Sequence, residues 1–118
     1  MKASELRIGN WVEIDQYGNT RNIIRIDSGS DIDQVVKLRP SPIPLTPEIL
    51  EKCGFEMMHL TSVKRWFNKD HIFYLQLEKR KYFLYGYKFY PNGITSLHQL
   101  QNLCYALTGE ELIYNPNN

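Results

Sequence analysis

Four polar side chains near the end of the chain have a spacing that chemistry could use. His98, Gln101, Asn102 and Tyr105 fall three and four residues apart, which on a helix places them in one stripe. An imidazole, two amides and a phenol in a row can read a peptide backbone or a base edge. The same groups can satisfy strand edges and loop carbonyls inside a fold, and that internal role is the expectation for them. An enzyme built on His98 and Tyr105 would need carboxylates brought from distant positions, because the stripe holds none.

A second constellation is basic and aromatic. Lys64, Arg65, Trp66, Lys79, Arg80, Lys81, Tyr82 and Lys88 mix cations with flat rings. Ring stacking combined with phosphate neutralisation is how sequence-tolerant single-strand binders work. The plainer reading is a hairpin with a charged turn, its lysines guarding an edge strand. Residues 61–90 carry seven Lys/Arg against two Asp/Glu, a balance of +5, between flanks of −2 each. The whole chain is only +1, which argues against a general nucleic-acid coat protein.

Other chemistries lack their spacing. His59, His71 and His98 form no HxxxH, HxH or HExxH pattern, so a zinc site would have to be assembled from distant residues. No G-x-G-x-x-G, Walker A or G-x-S-x-G element is present. Ser28-Gly29-Ser30-Asp31 is a small polar loop with no convincing helix behind it, so a helix-assisted anion site is not expected. Cys53 and Cys104 form no C-x-x-C pair, and each falls on the apolar side of a predicted helix, where thiols are inert. These readings imply no catalytic residue, no metal and no cofactor.

The elements that must position these residues follow from periodicity. Leu6 to Ile14 reads as a first strand, interrupted at Gly9-Asn10, and Asn22 to Asp27 as its hairpin partner across Tyr17-Gly18-Asn19. Val35 to Leu38 reads as a third short strand, which would give a small, curved, barrel-like sheet. Pro40, Pro42 and Pro44 mark an extended connector. Thr46-Pro47 opens a short helix that Gly54 closes. Val63 to Asn68, His71 to Glu78 and Tyr82 to Tyr90 read as strands. Phe73, Leu75 and Leu77 share one face, and the last two strands form a hairpin across Glu78 to Lys81. Ser96 caps the last helix, whose apolar face is Leu97, Leu100, Leu103, Cys104 and Leu107. Asn115 to Asn118 reads as a frayed tail.

Three stretches together resemble a family. They are Glu5-Leu6-Arg7-Ile8-Gly9-Asn10-Trp11-Val12, then Pro42-Ile43-Pro44-Leu45-Thr46-Pro47-Glu48-Ile49-Leu50 with Cys53-Gly54-Phe55, and finally His98-Gln99-Leu100-Gln101-Asn102-Leu103-Cys104-Tyr105-Ala106-Leu107-Thr108-Gly109-Glu110-Glu111-Leu112. In that order they resemble a family of small uncharacterised proteins encoded in bacterial genomes and their prophages. Cys104 departs from the pattern, which has an aromatic there. The resemblance spans nearly the whole chain and implies a free-standing cytoplasmic protein carried on mobile elements. It supplies no catalytic residue.

The 118 residues suit one domain, 1–118, with the connector at 40–47 as the place where two lobes would part. The expected fold is α+β: a small N-terminal antiparallel β unit, a short helix, a second antiparallel hairpin or meander, and a C-terminal helix packed on the sheet. No secretory signal and no apolar run long enough to span a bilayer is seen, which implies a cytoplasmic protein without membrane contact. The expected function is a non-enzymatic accessory protein that binds another protein. The alternative is a single-stranded nucleic-acid module using residues 64–88, and the third reading is an enzyme.

Overall fold

A computed structural model describes residues 3–16, 20–38, 40–60, 63–68, 73–78, 81–84 and 93–116. The chain divides into two compact units, Met1–Pro44 with Ser96–Leu103, and Leu45–Thr95 with Cys104–Asn118. The first boundary falls within the proline connector.

In the first unit, a 3-10 turn (Ala3–Glu5) precedes β1 (Trp11–Gln16) and β2 (Thr20–Arg25), which pair antiparallel from Trp11↔Arg25 to Gln16↔Thr20. Tyr17-Gly18-Asn19 lies outside the described residues. The expected strand from Leu6 is corrected. Leu6 is buried and Ile8 is half exposed, but Arg7 to Asn10 make a turn closed by Asn10 N–H donating to Arg7 O at 3.0 Å. Gly9 has φ 98, a backbone conformation glycine adopts without strain. Pairing to the end of β2 continues through this turn, with Gly9 N–H donating to Ile26 O at 2.7 Å and Ile26 N–H to Asn10 O at 2.9 Å.

The expected third strand is also corrected, because Val35 and Val36 lie in a helix, α1 (Gly29–Lys37). Ser28 is extended at φ −150, and its hydroxyl accepts from Asp31 N–H at 3.4 Å. The polar loop read at residues 27–31 is therefore the start of this helix, its first turn capped by Ser28. Ile32, Val35 and Val36 recur at helical spacing. Val35 joins the core of Leu6, Val12, Ile14 and Ile26, with Ile24, Ile32 and Val36 packed against it. Burial on that core outweighs the β preference of the branched pair. Among the described residues the sheet of this unit accordingly has two strands, not three.

The connector is extended, and its non-proline residues do the bonding. Ser41 and Glu13 exchange backbone hydrogen bonds at 2.7 and 3.0 Å, and Ile43 O accepts from Leu97 N–H at 2.8 Å. Leu97 opens the last helix, α3 (Leu97–Thr108).

In the second unit, Thr46 and Pro47 start α2 (Pro47–Lys52) as expected. Thr46 Oγ1 accepts from Ile49 N–H at 3.2 Å, and Gly54 leaves the helix at φ 86. A strand absent from the sequence reading follows, β3 (Phe55–Leu60). Then come β4 (Val63–Asn68), β5 (Phe73–Glu78) and β6 (Lys81–Leu84), in sheet order β3-β4-β5-β6, all antiparallel. His71, Lys79, Arg80 and residues 85–92 lie outside the described residues.

The register sets the faces of this sheet. Trp66 pairs with Leu75, and Leu77 with Tyr82; Phe55, Trp66, Leu75 and Tyr82 are buried on that side. Asn68 is buried among them and donates from Nδ2 to Cys53 O at 3.1 Å. Ile94 closes the β6 edge by exchanging backbone hydrogen bonds with Tyr82. Gly93, beside it, has φ 75, and a Cβ there would lie 2.8 Å from Lys81 Cβ, so only glycine fits. Leu112 and Tyr114 are buried, and Asn115 N–H donates to Lys52 O at 3.0 Å, so the expected fraying does not begin at Asn115. The architecture is α+β, with antiparallel sheets of two and four strands.

Candidate functional site

The stripe on α3 is built around two amides. Gln101 is 1% exposed, and both ends of its side chain are engaged: Oε1 accepts from Trp11 N–H at 2.9 Å, and Nε2 donates to Gly9 O at 2.8 Å. The amide thus supplies the acceptor and donor that a neighbouring strand would offer to the Gly9–Trp11 backbone. Asn102 works beside it. Its Oδ1 accepts from Arg7 Nε at 3.0 Å and Asn10 Nδ2 at 2.9 Å, and its Nδ2 donates to Glu5 O at 3.4 Å. Asn10 is fully buried and accepts on Oδ1 from Arg7 N–H at 2.7 Å, while Arg7 Nη2 reaches Gln101 O at 3.3 Å. Two segments distant in sequence, Arg7 to Trp11 and Gln101-Asn102, therefore meet as the two halves of one clamp.

The other members of the stripe sit differently. His98 is buried and shares a hydrogen bond with Ser96 Oγ through Nδ1 at 3.2 Å. Burial pushes its imidazole below the ordinary 6.5, partly opposed by the Glu5 carboxylate. Gln99 Oε1 accepts from Ser96 N–H at 3.3 Å, one arm of a capping box, whereas the Ser96 hydroxyl, expected to cap this helix, meets His98. Tyr105 is 46% exposed. The structure thus joins Gln101 and Asn102 in one network, gives His98 a separate partner in Ser96, and leaves Tyr105 at the surface. The amides hold backbone groups and each other rather than converging on a space for a substrate.

The basic aromatic set is divided by sheet parity. Trp66 and Tyr82 point into the core at 3% exposure each, so neither ring is available for stacking. Lys64 and Lys81 are exposed, Arg65 is half-buried, and Lys79, Arg80 and Lys88 lie outside the described residues. The outward face of the sheet carries other rings. Phe67 and Tyr74 are register partners on β4 and β5, stacked with centroids 4.6 Å apart and planes at 25°. Tyr74 is exposed, and Phe83 is half-buried on the same side. Arg65 lies one rung away, its Nε donating to Gln76 Oε1 at 3.4 Å. Strand alternation alone places Phe67 opposite in parity to Trp66, but only the cross-strand register shows which of the two faces out.

The remaining candidates are structural. Cys53 and Cys104 are buried free thiols, and burial with the neighbouring Cys104 pushes Cys53 up to about 12, far from a reactive thiolate. Among the described residues, no three His, Cys, Asp or Glu side chains gather as a metal set, and no helix is long and apolar enough to cross a membrane. Fold and surface together define an α+β protein whose side-chain amides serve its backbone and whose second sheet presents rings outward. Neither family models, nor curated proteins, nor solved structures contain a match to the chain.

Proposed function

We propose that the chain is a non-enzymatic contact protein, working as an accessory component in the bacterial cytoplasm and carried on mobile elements. One observation carries this reading: the outward face of the β3–β6 sheet presents the stacked Phe67–Tyr74 pair one rung from Arg65, with Lys81 a further rung along. The clamp supports it from the other side, since Gln101 and Asn102 are spent on holding the turn at residues 7–11. The cytoplasmic assignment is supported by two free, buried cysteines. The mobile-element assignment is supported by the resemblance of the opening, middle and closing motifs.

The test is retention of macromolecules from a bacterial extract on the immobilised full chain, set against two single variants. Tyr74→Glu places a charge on the sheet face, whereas Tyr105→Glu places one at an exposed position on α3. Loss of the retained species with Tyr74→Glu but not with Tyr105→Glu is the expected result. Retention that is indifferent to Tyr74, or lost only with Tyr105→Glu, contradicts the reading.

A further inference from the structure

We infer that the occupant of this sheet face is single-stranded nucleic acid, its bases stacking on Phe67 and Tyr74 and its phosphates running past Arg65 and Lys81. The inference rests on the preceding reading of the face as the contact surface and names the partner class.

The register arranges the outward side chains in successive rungs. One rung holds Glu56, Phe67 and Tyr74; the next holds Met58, Arg65, Gln76 and Phe83; a third holds Lys81. Rungs on one face are two residues apart, about 7 Å, so rings and cations alternate at short intervals along the strands. The ring pair is already stacked, and the Arg65 guanidinium is held by Gln76, so little side-chain freedom is lost on binding. Base stacking needs unpaired bases and an accessible ring, and Tyr74 of the stacked pair is exposed.

Charge complementarity points the same way. Among the described residues of this face the charged ones are Glu56, Arg65 and Lys81, so both cations lie on the β4 to β6 side and the one carboxylate lies on β3. An acidic protein surface would pair with the cations but would leave the stacked rings without a matching group, which is why nucleic acid is favoured.

The experiment is fluorescence anisotropy of labelled oligothymidylate and oligouridylate titrated with the full chain, at low and at moderate salt. Saturable binding that weakens with salt is expected. Tyr74→Ala is expected to weaken it about ten-fold or more, the loss of one stacking platform. Lys81→Gln is expected to lower the salt slope by about 0.7, one released counterion on a single strand. Circular dichroism identical to the parent confirms that each variant is folded, and the two substitutions act on separate rungs. No saturable binding at high micromolar protein and low salt overturns the inference, as does binding that neither substitution changes. Tyr74-dependent retention of a host protein without oligonucleotide binding would overturn the nucleic-acid partner alone and leave the contact face standing. Indifference to Tyr74 in both assays would remove both.

Discussion

Replacing Gln101 with leucine isolates what the α3 amides contribute. Leucine nearly matches glutamine in size, so the change opens little cavity and acts on the hydrogen bonds. It leaves Trp11 N–H and Gly9 O without the partners now at 2.9 and 2.8 Å. A backbone hydrogen bond is worth about 1 kcal/mol net, and a buried group left without a partner costs about 1–3 kcal/mol. Gly9 and Trp11 are half-buried, so water recovers part of this, and the expected loss is about 2–3 kcal/mol. For a chain of this size that corresponds to a fall in Tm of about 8–12 °C. Urea unfolding followed by circular dichroism and tryptophan fluorescence reads the change as a lower midpoint at unchanged slope. Gln101→Glu keeps the acceptor for Trp11 but turns a second oxygen on Gly9 O. It is expected to cost at least as much at neutral pH and to recover partly in acid, as the carboxyl regains a proton. A Gln101→Leu variant within about 0.5 kcal/mol of the parent, the range of an ordinary surface substitution, would refute the clamp.

Three further outcomes follow from buried groups. His98 is held below 6.5 by burial, so it stays neutral in the fold where the unfolded chain has begun to take up a proton; the stability this represents is present above pH 6.5 and is lost as pH falls from there through the folded value. The urea midpoint of the parent is therefore expected to drop between pH 7.5 and 5, and to drop less in His98→Gln; a midpoint that rises over that range contradicts this. Neither cysteine is expected to react with a thiol reagent at pH 8 until urea is added, when both should, and one fast native thiol would contradict their burial. Trp66 Nε1 is buried without a hydrogen-bond partner among the described residues, so Trp66→Phe removes an unsatisfied donor while losing volume. It is expected to cost under about 1.5 kcal/mol in urea unfolding, against about 3–5 kcal/mol for Trp66→Ala, and equal costs for the two would contradict the orphaned donor.

Local signals located the elements whose ends are chemically marked. Thr46-Pro47 and Gly54 bracket α2 because a hydroxyl acceptor, a fixed φ and a positive φ each satisfy a specific backbone need. The helix α1 was masked by its own composition. Gly29, Ser30 and Asp33 are weak helix formers and Val35-Val36 favours strands, so only the Ser28 cap and the Ile32, Val35, Val36 spacing betray it. Strand β3 was hidden because apolar residues fall on both of its rows, Phe55 and Met57 on one and Met58 and Leu60 on the other, so Phe55–Leu60 lacks the apolar–polar alternation that marks a half-buried strand. The helix stripe was legible as a stripe, and an internal role for it was the expectation. Its partners were not legible, because Gly9 and Trp11 lie about ninety residues earlier and their pairing is a product of tertiary structure. The faces of the basic aromatic set are illegible for a related reason. Lys64, Trp66 and Asn68 alternate with Arg65 and Phe67, both rows mix polar and aromatic groups, and only pairing with Leu75 assigns Trp66 to the interior.

The claim on which the rest depends is that α3 spends its amides on the turn at residues 7–11. Proton exchange read by NMR on the uniformly labelled chain measures it directly. The Trp11 backbone N–H and the Gln101 side-chain N–H that meets Gly9 O are expected to exchange with water far more slowly than in an unstructured peptide, and together, because one side chain holds both. Exchange of the Gln101 amide protons at the free rate, with Trp11 still protected, would show that the two are not joined and would contradict the account.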